Sequence, residues 1–313
     1  ACDLRIGARL GRFDMAGRRR GAQWLTALIA LFATLAPSQA QVAAPEPVQA
    51  CPADAGCSVA GGTYRIVLPA RPAGQRRIGA IMYFHGYQGS AEETVADRSL
   101  LAVAQSLGVA LIAMEGAGRS WSFPGSPAQN RDEIAYVGHV LDDVIRRFAI
   151  DPGAVMASGF SQGGSMVWSL ACRIPQRFAA FAPIAGAFWE PLPERCVGPR
   201  PNLIHVHGTG DATVPLAGRA LRNGYRQGDV FKSLAILAPG GCTAHWAVDA
   251  RSAAQSPALA CQVADGCGGA ARLELCLHGG GHIADAAWIE RAWLLAMPDR
   301  KPAKPSEAGL TSP

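Results

Sequence analysis

The chain has 313 residues, 49% of them hydrophobic and 17% charged, which is enough apolar surface for a sizeable folded core. Its net charge of +5 is concentrated in residues 1–40, which hold six arginines and two aspartates. The remaining chain has 23 basic and 22 acidic side chains, a balance that excludes the strong basic excess typical of proteins that bind nucleic acid or anionic membranes.

Residues 15–40 have the pattern of a secretory signal peptide. Consecutive arginines precede an apolar run at 24–36, and a Ser-Gln-Ala sequence suitable for cleavage follows at 38–40. The apolar run is too short to span a bilayer comfortably. We therefore expect cleavage, a secreted or periplasmic protein and no stable membrane anchor, with a retained anchor as the alternative. Met15 is the expected start, which makes residues 1–14 an upstream or non-native segment.

After this leader the sequence predicts a single α/β domain. We expect residues 41–62 to form an N-terminal linker with a short disulfide loop, residues 63–297 the folded domain and residues 298–313 a disordered tail. Within the domain, short apolar runs alternate with segments of helical periodicity. The predicted strands are 63–69, 78–84, 109–114, 154–158, 179–184, 203–207, 234–238 and 272–278, and the predicted helices are 92–107, 132–148, 163–172, 215–226 and 284–296. This alternation predicts a mostly parallel sheet with helices on both faces.

The sequence G-F-S-Q-G, with Ser161 at its centre, lies between a predicted strand and a predicted helix. A G-x-S-x-G pattern at such a turn is typical of a nucleophile elbow, in which a sharp bend exposes the serine hydroxyl. Gly159 and Gly163 fit this reading, because a Cβ at either position would crowd the turn. The alternative is an ordinary serine in a glycine-rich turn.

Candidates for a base and an acid follow two later strands. Asp211 comes just after the strand at 203–207, and His282 follows the strand at 272–278 and three glycines. Because the carboxyl ends of parallel strands meet at one edge of a sheet, these residues can converge on Ser161. The order Ser, Asp, His also fits a nucleophile, an orienting acid and a general base in this kind of fold.

Four other residues compete for the roles of base and acid. The rival histidines are His278, predicted within a strand, and His245, a possible pocket wall; the rival acids are Asp229 and Asp249. We favour His282 and Asp211, because the rival acids do not follow a buried strand as directly.

The loop after the strand at 78–84 is expected to complete the site. The backbone amide of Tyr87 can meet that of Gln162, which would give two donors for an oxyanion. His85 is predicted to be structural, hydrogen-bonded beneath this loop. Aromatic candidates for the substrate pocket are Trp121, in a loop after the strand at 109–114, and the His245-Trp246 pair. For Trp121 the alternative is a core residue, and we favour the pocket.

Eight of the nine cysteines follow the predicted signal peptide, and an even number in an exported chain predicts disulfides. The expected pairs are Cys51–Cys57, Cys172–Cys196, Cys242–Cys276 and Cys261–Cys267, although other pairings stay open. No C-x₂-C spacing indicates zinc, so we expect no metal.

Five segments occur in order along the chain: H-G-Y-Q-G-S, G-R-S-W, G-F-S-Q-G-G-S-M, H-G-T-G-D-A-T-V-P and G-G-G-H. In this set the chain resembles the extracellular esterases of the α/β-hydrolase fold that are grouped as poly(3-hydroxybutyrate) depolymerase-like and feruloyl-esterase-like proteins. The resemblance implies Ser161, Asp211 and His282 as a catalytic triad, with Tyr87 and Gln162 as oxyanion donors. It also implies ester hydrolysis through an acyl-enzyme, without a cofactor.

One departure from the family pattern bears on the substrate. Family members commonly carry Trp-Pro just after the catalytic histidine, whereas this chain has Ile283-Ala284-Asp285. The difference favours soluble esters or short oligomers over crystalline polymer. Two alternatives stay open, a serine peptidase of the same fold and a catalytically silent homologue that serves as a binding protein.

Overall fold

The computed structural model describes residues 51–52, 56–70, 77–238, 246, 258–264 and 271–300. All of them belong to one unit, Pro47–Pro313, and the other unit, Ala1–Glu46, lies outside the described residues together with the predicted signal peptide. Within the described part of the chain, no helix has the length and apolar character needed to cross a membrane.

A nine-stranded sheet forms the centre of the fold. The strands are β1 (Cys57–Val59), β2 (Gly62–Val67), β3 (Ile78–Phe84), β4 (Ala110–Met114), β5 (Ile150–Phe160), β6 (Ala180–Ile184), β7 (Leu203–Gly208), β8 (Arg219–Ala220), β9 (Arg226–Gln227), β10 (Ala260–Val263) and β11 (Leu273–His278). Their order in the sheet is β1-β2-β4-β3-β5-β6-β7-β11-β10, and β8 and β9 form a separate two-stranded ladder. In this order, neighbouring strands from β4 through β11 are parallel. The pairs β1–β2, β2–β4 and β11–β10 at the two ends of the sheet are antiparallel. The predicted α/β class, with a mostly parallel sheet, is confirmed.

Helices cover both faces of this sheet. They are α1 (Ala91–Ala96), α2 (Arg98–Leu107), α3 (Glu133–Arg147), α4 (Gln162–Arg173), α5 (Val230–Leu237) and α6 (Ala286–Ala296), with 3₁₀ turns at Pro175–Arg177, Arg222–Gly224 and Pro298–Arg300. Buried side chains of α3, α4 and α5 join one hydrophobic cluster, and those of α2 and α6 join a second. Every residue of β3, β4, β6, β7 and β11 is buried, as expected for parallel strands covered on both faces.

The predicted helix at 215–226 is wrong. This segment forms the β8–β9 hairpin, with a 3₁₀ turn at its tip. Gly218 and Gly224 adopt φ values of 68° and 82°, which a right-handed helix does not allow.

The predicted strand at 234–238 is also wrong, because these residues lie mainly in α5. Asp229 caps this helix by accepting a hydrogen bond from the Lys232 amide at 2.8 Å. A short apolar run is compatible with a strand or a buried helix, and the capping aspartate was the signal for a helix.

Two edge strands lie where none was predicted. β1 falls inside the predicted linker at 41–62 and pairs with β2, so the sheet begins before residue 63. β10 pairs with β11 at the opposite edge. Strands of three or four residues are too short to show a periodicity.

The helix predicted at 92–107 is two helices in the structure, α1 and α2. Asp97 separates them, and its carboxylate accepts hydrogen bonds from backbone amides in the first turn of α2.

Two of the predicted disulfides are present in the structure, Cys51–Cys57 and Cys172–Cys196, with Cα atoms 4.8 and 4.5 Å apart. The predicted pairs Cys242–Cys276 and Cys261–Cys267 are wrong, because Cys261 is bonded to Cys276 with their Cα atoms 4.0 Å apart. The reason is the register of the β10–β11 pair, which places these two cysteines directly opposite each other. Cys242 and Cys267 lie outside the described residues.

Candidate active site

Ser161 occupies a sharp turn between β5 and α4. Its backbone has φ 59° and ψ −121°, a conformation that is rare for a residue with a side chain. The turn allows no bulk around it, because a Cβ at Gly163 would collide with the carbonyl oxygens of Phe84 and His85, at the end of β3. A Cβ at Gly159 would lie 2.7 Å from the Gly163 carbonyl oxygen. The strand-to-helix elbow expected from the sequence is therefore present.

The side chains of Ser161, His282 and Asp211 form one hydrogen-bonded chain. Ser161 Oγ lies 2.8 Å from His282 Nε2, and His282 Nδ1 lies 2.7 Å from Asp211 Oδ2. The residues follow β5, β11 and β7, so the sheet brings together groups that are up to 121 positions apart in the sequence. A carboxylate accepts but does not donate, so His282 donates from Nδ1, which leaves Nε2 free to take the serine proton.

Asp211 is buried and held by its own loop. Its Oδ1 accepts hydrogen bonds from the amides of Thr213 and Val214, at 2.8 and 2.7 Å. Burial alone would raise the pKa of this carboxyl, but the hydrogen bonds from His282 and from Val214 outweigh it and lower the pKa. Asp211 is therefore ionised near neutral pH and fixes the His282 ring in one tautomer.

A buried pair of histidines that the sequence analysis did not single out lies beside Asp211. His207 Nε2 lies 2.7 Å from the Val214 carbonyl oxygen, and His205 Nδ1 lies 2.9 Å from the Pro183 carbonyl oxygen. The two rings meet through His205 Nε2 and His207 Nδ1, 2.9 Å apart. Burial lowers the pKa of both, that of His207 to about 4. Two neutral rings carry two N–H groups for these three contacts, so one of the three contacts has no proton.

The glycine loop that carries His282 packs directly on the loop that carries Asp211. The Gly210 amide donates to the Gly280 carbonyl at 3.1 Å, and the Thr209 amide donates to the His278 carbonyl at 2.9 Å. A Cβ at Gly208 would collide with the carbonyl oxygens of this glycine loop. The close approach fixes the backbone on which the His282 ring is mounted.

The rival base and acid residues have other partners. His278 accepts a hydrogen bond from the Gly280 amide at 3.0 Å, and its ring packs on Trp288 at 4.6 Å between centroids. Asp229 caps α5, as described above. His245 and Asp249 lie outside the described residues. Among the candidates that the structure describes, His282 and Asp211 are the ones brought to Ser161.

The loop after β3 runs beside Ser161. A Cβ at Gly86 would lie 3.6 Å from the Ser161 Cβ, and the next residue, Tyr87, lines the cavity into which Ser161 opens. The backbone amides of Tyr87 and Gln162 have no acceptor among the described residues. His85 supports this loop, because its Nδ1 donates to the Gly86 carbonyl at 2.7 Å and its Nε2 accepts from the Gly116 amide at 3.1 Å.

The prediction that Trp121 forms a pocket wall is wrong. Its side chain is fully buried, packs against Phe84 and His85, and donates from Nε1 to the His85 carbonyl at 2.8 Å. Trp121 therefore holds the Tyr87 loop from beneath instead of touching a ligand. Trp246 is partly buried against the core and is not among the residues that line the cavity at Ser161.

Ser161 opens into a cavity of about 340 Å³. Its apolar wall includes Trp189, whose Nε1 donates to Ser165 Oγ at 3.2 Å, and the other side is built by the β8–β9 hairpin through Arg219, Leu221 and Gln227. None of these residues was predicted from the sequence. Trp189 follows β6, so the rule that sites lie beyond the carboxyl ends of parallel strands makes it a candidate, as it did Trp121, whereas the hairpin was predicted as a helix.

A family model described as "Putative esterase" matches residues 62–243, which is more than half of the chain. Over 168 residues the chain is 35% identical to "Putative esterase NocK" from Nocardia uniformis subsp. tsuyamanensis, and the match covers 51% of this chain and 48% of the relative. Over 188 residues it is 30% identical to "Poly(3-hydroxybutyrate) depolymerase" from Ralstonia pickettii, covering 54% of this chain and 38% of the relative. The matches thus span about half or less of the length of these relatives.

Among solved structures, an acetyl xylan esterase from Aspergillus awamori matches with a TM-score of 0.50 and 14% sequence identity. The match covers 76% of this chain and 94% of that structure, and at this identity it shows the fold alone. Family and fold agree with the sheet order and the elbow described above. The chain belongs to the esterase family of the α/β-hydrolase fold.

Proposed function

We propose that this protein is a serine hydrolase of carboxylic esters, with Ser161 as nucleophile, His282 as general base and Asp211 as the orienting acid. The observation that carries the proposal is the hydrogen-bonded chain of these three side chains at a strained turn, with spacings of 2.8 and 2.7 Å. Such spacing lets a proton leave the serine as its oxygen attacks a carbonyl.

The reaction proceeds in two acyl transfers. His282 Nε2 takes the proton of Ser161 as Oγ bonds to the ester carbonyl carbon, and the amides of Tyr87 and Gln162 stabilise the resulting oxyanion. When the carbon–oxygen bond to the alcohol breaks, His282 gives its proton to the departing alcohol. Water, deprotonated by His282, then attacks the acyl-enzyme and releases the acid and free Ser161.

Small esters and short oligoesters are the proposed substrates. The cavity of about 340 Å³ is at the lower end of the range for small-molecule sites, and its apolar wall suits an alkyl or aryl group. Similarity to a protein named as a poly(3-hydroxybutyrate) depolymerase supports hydroxy acid oligoesters. Feruloyl and other acyl esters of plant polysaccharide are the alternative class.

We further propose that the protein acts outside the cytoplasm. The signal-peptide pattern at 15–40 supports export. The three disulfides among the described residues support an oxidising compartment, because cytosolic reductants keep most thiols reduced.

Ester hydrolysis by purified protein tests the proposal. Wild type and Ser161→Ala are compared on p-nitrophenyl acetate, methyl ferulate and oligomers of 3-hydroxybutyrate. We expect turnover of at least one class by wild type and a loss of about 10⁴-fold or more in Ser161→Ala. Ser169→Ala, which removes another hydroxyl from α4, should keep wild-type turnover. Equal activity of wild type and Ser161→Ala would contradict the proposal.

A further inference from the structure

Arg219 reaches the cavity of Ser161 from the β8–β9 hairpin. Its Nε donates to Gln227 Oε1 at 3.1 Å, and Gln227 is itself buried, so the guanidinium is held from one side. The Arg219 side chain is half-buried and lines the same cavity as Ser161. The contact through Nε leaves both terminal nitrogens of the guanidinium available for a ligand.

The terminal nitrogens of Arg219 have no acceptor, and no carboxylate forms an ion pair with it, among the residues that the structure describes. Other arginines of the fold do have such partners; Arg226, on the neighbouring strand, pairs with Glu190 at 3.1 Å. Arg219 is also the one formally charged side chain among the described residues that line this cavity. A half-buried cation without a counter-ion, facing an otherwise neutral cavity, favours an anionic ligand.

We propose that Arg219 binds a free carboxylate on the ester substrate, so that the enzyme favours esters of hydroxy acids whose chain ends in a carboxyl group. The inference rests on the proposed function, because Ser161 must attack an ester in the same cavity. Two parallel N–H groups of a guanidinium match the two oxygens of a carboxylate.

This assignment distinguishes the two substrate classes. An oligomer of 3-hydroxybutyrate has a carboxylate at the end of the alcohol portion, and this group is unchanged when the ester bond is hydrolysed. In a feruloyl ester the carboxyl group of the acid is itself the ester, so it offers Arg219 no charge. Arg219 therefore favours the hydroxy acid class.

The test compares two substrates that differ in this charge alone. One is the linear dimer of 3-hydroxybutyrate, and the other is the same dimer with its terminal carboxyl capped as an N-methylamide. Each has a single ester bond. We expect wild-type kcat/KM to be about tenfold or more higher for the free carboxylate. In Arg219→Gln the ratio should fall close to one, and in Arg219→Lys it should be intermediate.

Arg222→Gln is the matched control, because it removes one positive charge from the exposed tip of the same hairpin, outside the cavity lining. It should keep the wild-type ratio. If it lowers the ratio as much as Arg219→Gln does, the preference comes from general electrostatics and the assignment is overturned. Melting temperatures of all variants confirm that each one is folded.

A binding measurement separates this inference from the proposed function. Calorimetric titration of Ser161→Ala with the two dimers reports binding without turnover, and tighter binding of the carboxylate form should disappear in Ser161→Ala/Arg219→Gln. If the wild type hydrolyses no ester but the Arg219-dependent preference for binding the carboxylate dimer is present, the proposed function is refuted and the Arg219 assignment is supported. Equal binding of both dimers would overturn the assignment even in an active esterase. A larger Arg219-dependent ratio for acetylated glucuronate, against its methylamide, than for the dimer would overturn the hydroxy acid class.

Discussion

The loops around Ser161 and the β8–β9 hairpin face the same cavity but are built in different ways. Ser161, Asp211 and His282 each follow a strand of the nine-stranded sheet, and neighbouring loops approach so closely that Gly163 and Gly208 have no room for a Cβ. The hairpin consists of two strands of two residues each, outside the main sheet. The hydrogen-bonded chain is thus mounted on the sheet, whereas Arg219, Leu221 and Gln227, which line the same cavity, lie on a small separate element.

The comparison predicts that changes at the sheet edge abolish the reaction and that changes in the hairpin alter substrate preference. The largest effect is expected for His282→Ala, which removes the proposed general base. We expect kcat/KM to fall about 10⁴-fold, measured on the best substrate found for the wild type. His278→Ala, four residues away, should keep kcat within about tenfold, because this ring supports the loop through Gly280. A greater loss in His278→Ala than in His282→Ala would show that the wrong histidine was assigned.

Among substitutions that add one methyl group to the loops around Ser161, Gly163→Ala should be the most destabilising. The added Cβ collides with backbone carbonyl oxygens of Phe84 and His85, which cannot move without disturbing β3. We expect a loss of about 3 kcal/mol or more in the free energy of unfolding, measured by denaturant titration. Gly138→Ala in α3 is the control, since nothing lies within 4 Å of its added Cβ, and it should stabilise by about 0.5–1 kcal/mol. Similar effects of both changes would refute the crowding argument.

Acid should lower the stability of the fold through the buried residue His207. The folded-state pKa of His207 is about 4, below the ordinary value of 6.5, because burial disfavours the charged ring. A lowered pKa contributes stability that is present above pH 6.5 and is lost as pH falls towards 4. We expect the free energy of unfolding to fall by about 2–3 kcal/mol across that interval, since one pKa unit corresponds to about 1.4 kcal/mol.

The variant His207→Asn should flatten this dependence on pH, even if it lowers stability at pH 7. His205 shares the same buried contact, so part of the slope should remain. Chemical denaturation at half-unit steps of pH measures both slopes. Identical slopes for wild type and His207→Asn would assign the acid sensitivity to other groups.

The smallest effect is expected for Leu221→Ala in the hairpin. Leu221 is partly buried and lines the cavity, and it takes no part in the hydrogen bonds of the chain at Ser161. We expect KM for neutral esters to rise by about two- to tenfold with little change in kcat, because the lost contact is apolar and remote from the reacting atoms. A kcat loss comparable to that of His282→Ala would break the distinction between the two regions.

The same distinction explains what the sequence could predict. Central strands such as β3 and β6 are continuous apolar runs of five or more residues, and the residues that follow strand ends could be assigned to one edge without knowing any contact. The two-residue strands of the hairpin show no period, so Arg219 and Leu221 could not be placed.

Two tryptophans show a second limit of the sequence. Trp121 and Trp189 both lie in loops after parallel strands, and nothing in their local pattern separates them. Their roles depend on long-range partners, the His85 carbonyl for Trp121 and the Ser165 hydroxyl for Trp189. The residue that lines the cavity could therefore be identified only from the tertiary structure.

Covalent labelling tests the central claim most directly, because it asks whether Ser161 is an activated nucleophile without requiring the natural substrate. Purified protein is treated with a fluorophosphonate, and the adduct is located by peptide mass spectrometry. We predict a single adduct on Ser161, no labelling of Ser161→Ala, and a rate that falls sharply in His282→Ala. An intact protein that stays unlabelled, or an adduct on another serine such as Ser165, would contradict the account.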